Sequence, residues 1–277
     1  MIINFILFSV FLLADFCFAN AQQKLRVISL APSTTEILFA LGLDDEIVGV
    51  SQFCNYPSAT MTKEKIGTFS NPNIEKILWL KPDIVFCTGL EQTPVIAKLR
   101  QLNFKVYISD PRNFQELFNS IKEIGGLINR ESQAAVLING MKSDLDKIIT
   151  KENLMPYKKR PKIFFEIWHS PLMTVGRGSF VDELLSLAGG INIAHDVKRP
   201  YSYFSSEQVI KQNPDCIILA YMSGEAPSKM IGARFGWKNI SAVKNKHIYN
   251  DINPDLLLRP GPRLVEGLKE IQKRLYP

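Results

Sequence analysis

The apolar positions of this chain follow two rhythms. Short unbroken runs predict buried strands at Arg26 to Leu30, Ile47 to Val50, Ile84 to Phe86, Lys105 to Ile108, Ile163 to Ile167, Cys216 to Ala220 and His247 to Asn250. Between them, spacings of three and four predict helices over 33–41, 94–102, 114–124, 180–188 and up to Leu275. Ser33-Thr-Thr-Glu36 fits a capping box, with Ser33 capping the helix and Glu36 reaching back. Gly42, Gly125-Gly126 and Gly189-Gly190 read as helix stops, and Ser179 as the cap of the 180–188 helix. Strand, helix, strand in succession argues for a parallel α/β layer.

The longest helical pattern runs over 130–152, where Ala134, Ile138, Met141, Leu145 and Ile148 share one face and Gly140 is the only weak point. At 1.5 Å per residue it reaches ~30 Å, enough to pass from one small domain to the next. It divides the chain into an expected N-terminal lobe over 22–127, a linking helix within 128–158 and a C-terminal lobe over 159–277.

The two halves share a pattern. Glu75 is followed by Pro82-Asp83 and an apolar strand; Glu207, 132 residues further on, is followed by Pro214-Asp215 and another. Each copy reads as a helix, a proline stop and a buried strand, with Asn73 and Ser205 as caps. An acid in a first turn gains a few tenths of a kcal/mol up to ~1 from the helix dipole. That gain explains one such acid. The repeat at one spacing in both halves points to a partner touching both.

The N-terminus changes the picture further. Met1 to Leu13 is almost wholly apolar, the run breaks at Asp15, and Ala19-Asn20-Ala21 gives a small-x-small cleavage pattern. Residues 1–21 therefore read as a cleaved secretory signal peptide, although no Lys or Arg precedes the apolar run. The run falls short of the ~20 residues that span a bilayer. Asp15-Phe16 before Cys17 do not resemble the small residues of a lipid-attachment site, so a soluble periplasmic protein is expected. Downstream, Cys54, Cys87 and Cys216 have no regular spacing, and Cys87 and Cys216 fall in apolar strands as small buried hydrophobes.

The formal net charge is +6, but its basic residues are scattered; the densest run, Lys158 to Lys162, reads as a solvated linker. No basic face with interleaved aromatics marks a nucleic-acid site. Neither GxSxG nor a P-loop occurs, which leaves a two-lobed transferase without a nucleophile or phosphate cradle. The glycines at Gly176 and Gly178 do not make a dinucleotide fingerprint. Phe53, Tyr56 and Phe69 lie in loops just past strand ends, where α/β sheets hold ligands, and are candidates for a cleft wall or for local packing. Three histidines, His169, His195 and His247, are too few and too scattered for a bare metal site. His169 at the cleft reads as a hydrogen-bonding wall residue or a ligand to iron or cobalt.

Five segments in order, Ser29 to Glu36, Gly67 to Glu75, Lys81 to Val85, Gly189 to Asn192 and Arg259 to Arg263, resemble the helical-backbone periplasmic binding proteins, above all those that bind cobalamin. The resemblance covers residues 24–277. It implies an α/β fold of two Rossmann-like lobes joined by one long backbone helix, no resident cofactor and no enzyme activity. It implies a monomer that carries a small molecule, cobalamin or a related corrinoid, to the permease of an ATP-driven importer. Glu75 and Glu207 match the family's docking acids. The implied ligand wall comprises Ala31, Pro32, Ser33, Phe53, Tyr56, Gly67, Phe69, Trp168, His169, Tyr203, Asp251 and Arg259. Phe53 and Phe69 stand where better-known relatives carry Tyr and Trp, so stacking survives without hydrogen-bonding handles. Asp251 and Arg259 either serve the ligand's polar groups or pair with each other. An iron–siderophore or heme cargo is the nearer alternative.

Overall fold

The computed structural model describes residues 24–89, 92–152, 156–222 and 231–276. The expected signal peptide and Cys17 lie outside the described residues.

The N-terminal sheet has the order β2-β1-β3-β4, from Val27–Ser29 (β1), Ile47–Val50 (β2), Ile84–Cys87 (β3) and Val106–Ile108 (β4), and all its pairs are parallel. Helices Pro32–Ala40 (α1), Ile74–Leu80 (α2) and Thr93–Gln101 (α3) make the crossovers. β1 and β3 are wholly buried and β2 nearly so, as parallel strands covered by helices must be, while β4 at the edge is only partly covered. Ile84 and Phe86 enter one apolar cluster, Val85 and Cys87 the other.

The C-terminal sheet runs β10-β9-β5-β6-β8, from Lys162–His169 (β5), Leu172–Val175 (β6), Tyr201–Tyr203 (β8), Cys216–Leu219 (β9) and Ile248–Tyr249 (β10), with Ile191–Asn192 (β7) also paired to β5. Here the two lobes differ. β6 and β8 run antiparallel, so Trp168 and His169 end a long strand rather than forming the turn that their place after the predicted strand implied.

Phe114–Leu127 (α4) extends beyond its expected end, and Gly125 and Gly126 lie inside it. A Cβ on Gly125 would sit 2.6 Å from the Ala134 Cβ, so this glycine lets α4 lie close against Glu131–Glu152 (α5). The turn between them falls at Asn129, with φ +55°. α5 buries Ala134, Met141, Leu145 and Ile148, with Ile138 half-buried beside them. The resulting core is continuous from β1 and α1 through α4 and α5 to Phe180–Leu187 (α6) and the final helix, Leu264–Leu275.

The repeated pattern is a repeated fold. α2 and Ser206–Gln212 (α7) have the same length, and β3 and β9 follow them at the same distance. Asn73 caps α2 and Ser205 caps α7, the latter in a full capping box with Gln208. Lys81 and Asn213 close the helices in left-handed conformation, at φ +46° and +47°. Asp83 accepts from the Arg26 amide at 2.7 Å and Asp215 from the Lys162 amide at 2.9 Å, so each Pro-Asp pins the first residues of the neighbouring strand.

Candidate functional site

The carboxyl ends of the parallel strands gather the expected wall residues of each lobe. In the N-terminal lobe, α1 starts two residues earlier than the capping box requires. Ala31 is its N-cap, Pro32 opens it, and no side chain caps it. Ser33 therefore lies inside the first turn, and the expected box does not form. The start of α1 leaves first-turn amides without intrahelical partners beside a half-buried Pro32.

Two buried polar clusters hold the neighbouring loops. Cys54 Sγ lies 3.1 Å from Thr35 Oγ1 and 3.3 Å from Ser51 Oγ, which fixes the loop that carries Phe53. The Gln92 amide nitrogen donates to the carbonyls of Leu30 (3.1 Å) and Phe69 (2.8 Å), while its oxygen accepts from the Thr88 amide. One buried side chain thus ties together the ends of β1 and β3 and the turn bearing Phe69. Gly67, at φ +106°, opens that turn; a Cβ there would lie 2.9 Å from the Asn71 carbonyl oxygen. Phe53 and Tyr56 are exposed and Phe69 is half-buried. One face of the Tyr56 ring is covered by the Arg263 guanidinium at 3.8 Å.

The C-terminal lobe supplies a second wall. Trp168 of β5, Met173 of β6 and Tyr203 of β8 face one another across the strands, so their side chains form one row. A bulge between Glu166 and Trp168 re-aims the end of β5. Trp168, His169 and Tyr221 then cluster with ring centroids 5.3–5.9 Å apart, His169 stacked on Tyr221 at 14°. Beneath them lies Glu166, 0% exposed. It accepts from Arg234 Nη1 at 2.6 Å and Nη2 at 2.7 Å, and from the Tyr221 hydroxyl. Burial, then the Glu166 carboxylate, push the Tyr221 phenol well above its ordinary value.

Asp251 and Arg259 do not pair with each other. Asp251 takes Arg274 at 2.7 Å. Arg259 reaches Asp255 at 2.8 Å, Asn55 at 2.6 Å, the Phe53 carbonyl at 3.3 Å and Glu36 at 3.5 Å. Arg259 is buried, so it braces the Phe53 loop instead of presenting a free cation. Glu36, 4% exposed, receives Arg263 through two bonds of 2.8 and 2.6 Å. The acid expected to cap α1 is thus the centre of an ionic joint between the lobes: a buried carboxylate gains more from two guanidiniums than from one amide.

Glu75 and Glu207 are both exposed, each the second residue of its helix. Its own backbone amide and the Ser205 hydroxyl hold the Glu207 carboxyl below the usual range. His195 pairs with Asp182 at 2.9 Å, and the neighbouring Asp196 takes Arg177 instead. Among the described residues no group of three or more His, Cys, Asp or Glu is placed to hold a metal ion. No helix among them is long and apolar enough to cross a membrane.

Gln92, Met173, Tyr221, Arg234 and Arg263 were not expected at the site. Glu166 carried the one legible signal: a lone acid inside the apolar run Ile163 to Ile167 needs a buried cation.

The chain matches the model of the periplasmic binding protein family over residues 27–253. It is 34% identical over 261 residues to YvrC of Bacillus subtilis, described as an uncharacterized ABC transporter substrate-binding lipoprotein, covering 92% of this chain and 81% of the relative. Among solved structures it resembles a possible iron-binding periplasmic solute-binding protein of Staphylococcus epidermidis, with TM-score 0.80, 33% identity and coverage of 91% and 98%. It also resembles the periplasmic vitamin B12 binding protein BtuF of Vibrio cholerae, with TM-score 0.75, 30% identity and coverage of 90% and 96%. The chain therefore belongs to the periplasmic binding proteins, the extracytoplasmic solute-capturing components of ABC transporters, in their two-lobed, helical-backbone form.

Proposed function

We propose that this protein captures cobalamin or a related corrinoid between its lobes and delivers it to the permease of an ABC importer. The observation that carries this reading is the row Trp168–Met173–Tyr203, with His169 beside it, at the carboxyl end of the C-terminal sheet. Such a surface suits a broad, partly apolar ring, at ~25 cal/mol per Å² of apolar area buried. The exposed Phe53 and the half-buried Phe69 supply stacking faces on the other lobe. A bare ion finds no ligand cluster among the described residues, whereas a macrocycle brings its own donors to the metal. Binding without turnover is expected.

Titrating the purified chain with cyanocobalamin, hemin and a ferric siderophore tests this. Saturable binding of one cyanocobalamin, with a shift in its visible bands, is the expected result. Binding of hemin or the siderophore alone would replace the corrinoid reading with an iron-chelate reading; the Staphylococcus neighbour is described as a possible iron-binding protein. N-terminal sequencing of exported protein should find cleavage after Ala21; a lipid-modified Cys17, as the lipoprotein description of the Bacillus relative would have it, would make the protein membrane-anchored.

A further inference from the structure

We infer that Glu166, Arg234 and Tyr221 form a positioning unit that sets the orientation of the Trp168–His169 wall, and that Tyr221 presents this wall by its ring while its hydroxyl is turned into the protein. The consequence for ligand selection rests on the corrinoid reading above; the positioning itself does not.

Three observations on different elements meet here. Glu166 is a fully buried carboxylate in the middle of β5, a costly group to place in an apolar sheet unless its oxygens are all engaged. They are engaged: the Arg234 fork takes both, and the Tyr221 hydroxyl adds a further bond. Arg234 is in turn stacked on the buried Trp237 ring at 4.5 Å, so the fork is held from behind as well as in front. Tyr221 follows the end of β9, where the Ala220 amide donates to the Glu166 carbonyl at 2.9 Å. Both ends of its ring are thereby fixed.

What Tyr221 holds is the wall. Its ring stacks on His169 at 5.8 Å and leans on Trp168 at 5.9 Å, and Trp168 is tied at its far side by Nε1 donating to the Ser170 carbonyl at 2.8 Å. A site needs its contacting rings locked by the residues behind them. Here the lock is polar and buried, and the contacting face is aromatic and open to solvent at His169. With its hydroxyl turned inward onto the buried Glu166 carboxylate, Tyr221 meets the wall by its ring. The His169 ring is the metal-directed group this cluster presents. The wall therefore selects flat macrocycles that accept a ring face and at most one nitrogen ligand.

The test uses Tyr221→Phe, which keeps the ring and removes the hydroxyl, and Glu166→Gln, in the full chain labelled with fluorotryptophan. Trp79, on the exposed face of α2 and away from this unit, serves as the internal reference. Without ligand, the fluorine resonance of Trp168 should shift or broaden in Tyr221→Phe while that of Trp79 stays in place. Cyanocobalamin affinity should fall about tenfold with the melting temperature close to wild type. An unmoved Trp168 resonance in folded Tyr221→Phe overturns the positioning role. Should Glu166→Gln fail to fold, Tyr221→Phe alone decides. A wild-type chain that binds no cyanocobalamin defeats the corrinoid reading and leaves the ligand-free resonance to judge the positioning unit by itself.

Discussion

Glu36 shows how much one side chain can depend on residues far along the chain. Its carboxylate sits in the core beside Ile37 and Leu38, and its charge is balanced by Arg263 and Arg259 from the other lobe. Removing one partner of a buried pair leaves an uncompensated charge and costs about 3 kcal/mol or more. Glu36→Ala should therefore lower the urea-unfolding free energy by about 3 kcal/mol, and a stability within 0.5 kcal/mol of wild type, on the ~0.5 kcal/mol scale of ordinary surface changes, would contradict the joint. The thiols give a pH signature. Burial pushes Cys87 and Cys216 up to about 12 from an ordinary 9.0. Their folded values are raised, so their contribution is intact below pH 9 and is lost as pH climbs toward 12, at about 1.4 kcal/mol per pH step for each thiol. Unfolding free energies measured at pH 8, 9.5 and 11 should fall more steeply for wild type than for the Cys87→Ala, Cys216→Ala double variant (test pH values chosen at roughly one to two steps apart across this window). Parallel slopes would show that these thiols ionise without hindrance.

At the scale of elements, most of the architecture was legible. The α5 face was visible in its apolar spacing, and the caps Asn73, Ser205 and Ser179 in their residue type. What escaped was whatever depends on partners distant in sequence. Ser33-Thr-Thr-Glu36 has the letters of a capping box, but Pro32 starts the helix and Arg263 claims the acid. Gly125-Gly126 looks like a stop, yet Gly125 is there for the approach of Ala134. The antiparallel β5–β6 hairpin was hidden because Trp168-His169-Ser170-Pro171 has turn letters at its end only. At the site, aromatic positions could be placed at strand ends, whereas Gln92, Tyr221 and Arg234 have no local pattern that marks them. Gly67 makes a prediction at this scale. Its positive φ and the nearby Asn71 carbonyl make Gly67→Ala strained by roughly 1–3 kcal/mol. The variant should melt lower and bind ligand more weakly because the Phe69 turn moves; unchanged values in both measurements would remove that turn from the site.

Over the whole molecule, α5 and the Glu36 joint connect the lobes, and a second contact joins α4 to α6, where the Phe114 amide donates to Glu183 at 2.8 Å and Phe114 packs edge-on against Phe180. These ties limit how far one lobe can move from the other. Glu75 and Glu207 are exposed and occupy equal places on duplicated helices. Replacing both by Ala should leave the ligand dissociation constant unchanged and abolish uptake in a reconstituted transporter. Uptake at the wild-type rate would remove the two acids from docking, and lost ligand affinity would place them in the cleft.

The joint at Glu36 also bears on how the polypeptide is made. Its partner Arg263 lies 227 residues later in the chain, and the helix that follows, Leu264–Leu275, packs into the same core. A ribosome must therefore finish nearly the entire protein before the first lobe can bury that carboxylate with its counter-charge. Until then the nascent N-terminal half is an incomplete fold. The native state is therefore reached only after the last helix has been made.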